Sequence, residues 1–346
     1  MRCLTVLLLV SLFVVGAADA GELTPGNLAR ATRFVEAVRK VYDEGKALSR
    51  DMNGTAGYID SYRAGDVDPE EFADALNPFL AGMRVTIADY RTRYPRAPLS
   101  PSLGSLEHER SLDRFAKMIV KLGRLLVRQL DVLYQLRDAA LAGDNNAYDI
   151  AVADSLAVAA DLTLAENRFH EGVLATVEPE NPRRGFIRAI VGGNEVTAVA
   201  LRIIESGYRG REFDAGKYAL EVETGLRDVG RSIIEGENAA RRMLKNLEGK
   251  FAVTEADRYR ARYTGELVVA YERAFALERI ILEIERGLLD YLRAVNAGSA
   301  SADDAMEEML DFYADLDEKI QERREEENIR QAMADEYSRA LGALRN

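Results

Sequence analysis

The chain has 346 residues, with 46 Lys and Arg against 58 Asp and Glu, so its formal net charge at pH 7 is -12. An acidic surface repels phosphate backbones and anionic lipid headgroups, which argues against nucleic-acid binding and peripheral membrane binding. The one cysteine, Cys3, lies in an apolar leader. The rest of the chain can therefore form no disulfide, and its stability must come from packing.

Residues 1–20, MRCLTVLLLVSLFVVGAADA, have the pattern of a secretory signal peptide. Arg2 precedes an apolar run, and Ala18 and Ala20 form the small-residue pattern of a cleavage site. The run is shorter than the roughly 20 residues that cross a bilayer, and no later stretch that long is free of charge. We therefore predict cleavage near Ala20, a periplasmic or secreted mature chain, and no integral membrane segment in it. An uncleaved signal anchor is the alternative.

Apolar residues recur at intervals of three and four almost throughout, which predicts an all-α fold. The apolar stripe is longest between 254 and 296, where it passes through Ala274, Leu277, Ile281 and Ile284. Residues that break helices divide the chain into segments predicted at 25–63 (interrupted at 52–57), 69–93, 105–142, 145–177, 185–208, 212–247, 254–296 and 302–345.

Four of the predicted connections share one short pattern. An arginine lies in or near the last turn of a helix and a glycine follows it, at Gly65, Gly143, Gly210 and Gly298. Glycine can take the left-handed conformation after a helix, and a following Asp or Ser can accept N–H groups of the next one. Asp66 and Asp144 also begin oxygen-rich loops, but neither loop completes the spacing of a calcium-binding EF-hand. We therefore predict tight corners with capping aspartates.

Two alignments indicate an internal duplication. Residues 125–143 match 280–298 at a constant offset, and 62–80 match 208–226 in the same way. The segments VEPENPRRG (177–185) and VGGN (191–194) lie between the halves. After the signal peptide at 1–20, we predict two tandem four-helix units of αα-hairpins, at 21–178 and 184–346, joined by a connection at 178–194. The alternative is that any two amphipathic hairpins resemble each other.

The last predicted helix carries a candidate polar network. Its inward stripe reaches Leu316 and Ile320, meets charged residues, and becomes apolar again at Ile329. If this helix pairs antiparallel with 254–296, the charged residues face a second charged pair. The predicted network consists of Glu272, Arg273, Arg323, Arg324 and Glu327. Such a network is costly unless fully paired, and the alternative is a stripe that drifts toward solvent.

No catalytic motif emerges from the chain. It has no G-x-S-x-G after a strand and no glycine-rich phosphate loop. His108 and His170 differ by about eight positions in the registry of the predicted hairpin, on the order of 12 Å of helix rise. No Glu-x-x-His pair accompanies them. We therefore predict no catalytic residue, no metal ligand and no cofactor.

The favoured hypothesis is an exported, soluble, non-catalytic helical protein with a binding or scaffolding role. A first alternative is an extracytoplasmic protein that binds a small ligand or a metal between its halves, near 178–194. A second alternative is an enzyme with a carboxylate site that follows no motif. The sequence identifies neither the partner, whether a protein or a small molecule, nor the oligomeric state.

Overall fold

The computed structural model describes residues 24–174, 177, 180–248, 254–302 and 304–345, except for some side chains inside the helices, chiefly in the last one. The predicted signal peptide at 1–20 lies outside the described residues. Helices make up nearly all of the described chain and no strand occurs in it, which confirms the all-α prediction.

The helices are numbered in chain order. They are α1 (Pro25–Asn53), α2 (Ala56–Ala64), α3 (Pro69–Arg93), α4 (Leu106–Ala142), α5 (Asn145–Leu174), α6 (Pro182–Tyr208), α7 (Ala215–Glu248), α8 (Glu255–Asn296) and α9 (Ala305–Arg345). These bounds agree with the predicted segments to within a few residues. The connection between α5 and α6 is shorter than the predicted 178–194, because VGGN lies inside α6 rather than before it.

The four predicted corner glycines all have positive φ, which confirms the corner pattern. Their φ angles are 79° at Gly65, 63° at Gly143, 58° at Gly210 and 72° at Gly298. Side chains are strained in this conformation and glycine is not. Each glycine therefore lets its helix end and the chain turn back within a few residues.

Aspartates cap the helices that follow three of these corners, with Asp214 after Gly210, but the cap is not always the predicted aspartate. Asp144 accepts a hydrogen bond from the backbone N–H of Ala147 at 2.9 Å, as predicted. After Gly65 the cap is Asp68 rather than Asp66: its Oδ1 accepts from the backbone N–H of Glu71 at 2.8 Å. The reason is Pro69, which occupies the first position of α3 and makes the preceding residue the cap.

The described helices build two large hydrophobic cores. The first lies among α1, α3, α4 and α5, and the second among α6, α7, α8 and α9. In the first core α4 packs against α1, α3 and α5; in the second α6 packs against α7, α8 and α9. Leu156 and Tyr208 pack against both cores, and α5 packs along α6 between them.

Glycines bring α6 and α7 unusually close together. A Cβ atom built on Gly185 would lie 2.5 Å from the carbonyl oxygen of Ser232 and 2.6 Å from the Cα of Gly236. A Cβ on Gly192 would lie 2.6 Å from a methyl group of Val229. Only glycine permits such backbone contact, so these residues fix α6 at the centre of the second core.

Two buried asparagines join α5 to α6. The side-chain amide of Asn194 donates to Oδ1 of Asn167 at 2.9 Å, and the amide of Asn167 donates to the carbonyl oxygen of Val191 at 3.0 Å. A buried amide is costly unless it is hydrogen-bonded. The pair therefore favours one alignment of the two helices where the cores meet.

Candidate functional site

A line of buried residues at seven-residue spacing runs along α8. Its members are Tyr271, Glu278, Glu285 and Leu292, and each is buried. A helix returns to nearly the same face every seven residues, so all four face the second core. Glu278 and Glu285 are each only 1% exposed, which is unusual for a carboxylate.

The facing helix α9 has a matching line at the same spacing: Met309, Leu316, Arg323, Arg330 and Tyr337. The two helices are antiparallel, and two side-chain contacts fix their register. Tyr337 stacks on Tyr263 with ring centroids 3.9 Å apart, and Nη1 of Arg323 lies 3.6 Å from Oε1 of Glu278. We call Glu278, Glu285, Arg323 and Arg330 the charged seam.

The two glutamates and the two arginines of the charged seam are offset from each other by one seven-residue repeat. Arg323 faces Glu278, but Arg330 does not face Glu285. The guanidinium carbon of Arg330 instead lies 4.2 Å from the ring centroid of Phe186 and 5.4 Å from that of Tyr271. The same register places Glu285 opposite Leu316. One carboxylate and one guanidinium are thus buried beside apolar side chains.

Glu285 is the most unusual group of the charged seam. Neither of its carboxylate oxygens has a hydrogen-bond partner among the described residues. On the α6 side it lies against Gly193, where an added Cβ would come within 2.9 Å of its Oε1. Burial raises the pKa of Glu285 to about 8; the negative charge of Glu278 adds to the rise and Arg323 opposes it. The carboxyl group is therefore mostly protonated at neutral pH.

Proton uptake and release is the chemistry that this arrangement supports. A protonated Glu285 is a neutral group in an apolar layer, whereas an ionised Glu285 is a buried charge with no hydrogen-bond partner among the described side chains. No cluster of three or more metal-ligating side chains occurs within the described part of the chain.

The structure separates the residues of the predicted polar network. Glu272 and Arg273 lie on the exposed face of α8, while Arg323 is inside, paired with Glu278. The side chains of Arg324 and Glu327 lie outside the described residues. The predicted partners of Arg323 were misplaced because the inward line of α8 passes through Tyr271 and Glu278, and residues 272 and 273 fall on the opposite side.

The buried glutamates have a sequence signal, but the prediction passed over it. A strict alternation of four- and three-residue steps runs along α8 through Leu267, Tyr271, Ala274, Glu278, Ile281, Glu285, Leu288 and Leu292. The predicted stripe passes instead through Leu277 and Ile284, because these two residues are apolar. Keeping the alternation regular would have placed both glutamates in the core.

A second polar cluster lies in the first core. The ammonium group of Lys46 on α1 pairs with Oε1 of Glu166 on α5, and Nε2 of His170 lies 3.7 Å from the same oxygen. Burial alone would raise the pKa of Glu166, but Lys46 and His170 outweigh it and lower that pKa well below its usual range. Next to the cluster, the rings of Tyr42 and Phe169 stack at 4.4 Å. The ion pair of this cluster links α1 to α5.

None of the described helices has the length and apolar character of a membrane span. The chain matches no protein-family model, and no curated protein or solved structure is significantly similar to it. The charged seam must therefore be interpreted from its own geometry.

Proposed function

We propose that this chain is an exported, non-catalytic helical binding protein, and that α9 opens from α8 to uncover its binding face. The observation that carries the proposal is Glu285, buried between α8, α9 and α6 with no hydrogen-bond partner among the described residues. A leucine there would stabilise the bundle more than an unpartnered carboxyl group does. Glu285 lowers the stability of the closed state, in which α9 packs on α8. Such a group is useful if α9 must separate from α8 for the protein to function.

Ionisation of Glu285 is the step that favours opening. The groups facing it are Glu278 on its own helix, Arg323 on α9 and the backbone of Gly193 on α6. Arg323 lies close to Glu278, so it offsets only part of the charge on Glu285. When α9 moves away, water can solvate the ionised carboxylate of Glu285. The free-energy cost of burying that charge is then removed, which favours the open form.

An open α9 would expose an apolar face on α8 and α6. Leu267, Tyr271, Leu288 and Ile203 belong to this core. A groove between two helices suits an amphipathic helix of another protein, which would replace the contacts of α9. The partner that we propose is therefore a helix with apolar residues at seven-residue spacing and a basic residue opposite Glu278 and Glu285.

The remaining parts of the proposal come from the sequence. Export rests on the signal-peptide pattern at 1–20, with the mature chain beginning near Gly21. The two-unit division at 21–178 and 184–346, with its predicted duplication, is supported by the presence of two large cores. The mass of the mature protein recovered from an exporting host would test the cleavage point.

A peptide-exchange experiment tests the opening of α9. A fluorescent peptide with the sequence of residues 304–345 is added to the full mature chain, and binding is followed by anisotropy at about pH 6 and about pH 9, on either side of the pKa of Glu285. We expect binding at about pH 9 and little at about pH 6. We expect Glu285→Gln, which cannot ionise, to bind little at both.

The matched control is Glu272→Gln, an exposed glutamate of the same helix. It should exchange as the unmodified chain does. Equal exchange in the Glu285→Gln variant and the unmodified chain at about pH 9, or no exchange in either, would overturn the proposal.

A further inference from the structure

A surface groove separates α3 from α4 on the first bundle, far along the chain from the charged seam. Its volume is about 650 Å³, within the roughly 300–1,000 Å³ of small-molecule sites. Ile87, Val127 and Leu130 supply apolar surface, and Ile87 and Leu130 are buried below it. The groove therefore opens to solvent on one side over a largely buried apolar floor, of which Val127 is the partly exposed member.

Contacts at its two ends fix the register of the groove. At one end a Cβ on Gly123 would lie 3.5 Å from Cγ of Arg91, so the stem of Arg91 crosses α4 where α4 has no side chain. At the other end Nη1 of Arg137 donates to Oδ1 of Asn77 at 2.9 Å. Midway between them, the same antiparallel register sets Arg84 beside Leu130.

Arg84 and Arg91 form the basic wall of the groove. They lie seven residues apart on α3, on the order of 10 Å along the helix, so both face the same way. Both side chains are exposed, and neither forms an ion pair with a described carboxylate. Arg93 nearby differs, because it pairs with Glu44 and Asp89. Two guanidinium groups are therefore available to a ligand.

The opposite wall, on α4, carries Asp131, Tyr134 and Gln135. The guanidinium carbon of Arg137 lies 4.9 Å from the ring centroid of Tyr134 and helps to hold that ring in place. Asp131 repels a second acidic group on this side and can accept a hydrogen bond from a ligand. The two arginines and the aspartate leave the groove with one excess positive charge.

We infer that this groove binds a small organic anion. Its single acidic group would lie between Arg84 and Arg91, where guanidinium groups form charge-assisted hydrogen bonds with carboxylates or similar oxyanions. Its apolar body would cover Ile87, Val127 and Leu130. This site does not depend on the opening of α9, and none of its lining residues belongs to the predicted connection at 178–194.

A pair of related dyes tests the inference on the full mature chain. Anilinonaphthalene sulfonate is an aromatic body with one acidic group, and phenylnaphthylamine is the same body without it. Both fluoresce more strongly in an apolar site. We expect the sulfonate to bind at least about tenfold more tightly than the neutral dye, as one charge-assisted interaction allows. We expect Arg84→Gln with Arg91→Gln to remove that preference.

Two controls make the result specific to the groove. Arg227→Gln with Arg231→Gln makes the same charge change on α7, where both side chains are exposed, and should leave sulfonate binding unchanged. Ala88→Phe adds bulk at an exposed position of the groove without altering charge, and should weaken both dyes. Sulfonate binding that survives the double substitution in α3, or that falls equally with the α7 pair, would overturn the inference.

Discussion

Glu285 lies on the same buried line of α8 as Glu278, seven residues further on, yet among the described side chains only Glu278 has a guanidinium group within ion-pair distance. The repeat that puts both glutamates on the inward line of α8 also puts Arg323 and Arg330 on the inward line of α9. Because the two lines are offset by one seven-residue repeat, one glutamate (Glu285) and one arginine (Arg330) are left beside apolar side chains.

Replacing Glu285 with leucine should stabilise the protein at neutral pH by about 1–4 kcal/mol, because a buried carboxyl group gives way to an apolar side chain of similar size. Equilibrium unfolding in urea measures the change. Glu278→Leu is the contrasting variant: it should destabilise the protein, since the side chain of Arg323, only 13% exposed, loses its ion-pair partner.

The Glu285 carboxyl group should also set a pH dependence. Its pKa is raised from 4.5 to about 8 in the folded chain, so the unfolded chain loses this proton first. The contribution to stability is complete below about pH 4.5 and decreases by about 1.4 kcal/mol per pH unit until about pH 8. Unfolding free energies over this range should fall less steeply in Glu285→Leu than in the unmodified chain. Parallel pH profiles would contradict the assignment.

Gly185→Ala should destabilise the second bundle by about 1–3 kcal/mol, because the new methyl group would collide with the backbone of α7. Gly265 is the matched control, since it also lies inside a helix and an added Cβ there meets nothing within 4 Å. Gly265→Ala should stabilise by about 0.5–1 kcal/mol. Thermal unfolding of the two variants should shift in opposite directions, and equal shifts would be inconsistent with close packing of α6 on α7.

The asparagine pair should couple α5 to α6. Asn167→Ala or Asn194→Ala alone removes one partner and should cost about 1–3 kcal/mol. The double variant should cost less than the two together, with an interaction energy of about 0.5–3 kcal/mol. A double-mutant cycle measured by urea unfolding gives this energy directly, and strict additivity would show that the hydrogen bond contributes nothing.

Lys46→Met should lower stability at neutral pH by about 1–3 kcal/mol, because Glu166 loses its charged partner. The pKa of Glu166 is lowered in the folded chain, so the ion pair stabilises the protein above pH 4.5 and its contribution is lost as the pH falls. The difference between variant and unmodified chain should therefore shrink in acid. Lys117→Met breaks a more exposed pair with Asp113 and should change stability by less than about 1 kcal/mol.

The helices and corners were predictable because their causes are local. Gly143 and Gly298 end helices through their own backbone freedom, and Pro69 fixes the start of α3 from its ring geometry. The prediction of Asp66 as a cap was wrong by two residues because it weighed the corner glycine and not the proline after it.

The charged seam was harder to predict because its cause is tertiary. Glu278 and Glu285 are polar, and polarity normally indicates an exposed face, so the apolar stripe was drawn through their neighbours. Their burial depends on the register between α8 and α9, which is defined by contacts between residues far apart in the sequence, such as Tyr263 with Tyr337. The groove between α3 and α4 was not predicted either, since Arg84 and Arg91 resemble ordinary surface arginines until α4 is placed beside them.

The central position of α6 has a consequence for synthesis of the chain. The first core consists almost wholly of residues up to 173, so it can assemble before the second half is made. The second core needs residues as late as Tyr337. Until the ribosome reaches that point, the many apolar side chains of α6 have no complete cover, and the nascent second half would depend on a chaperone or on rapid completion to avoid aggregation.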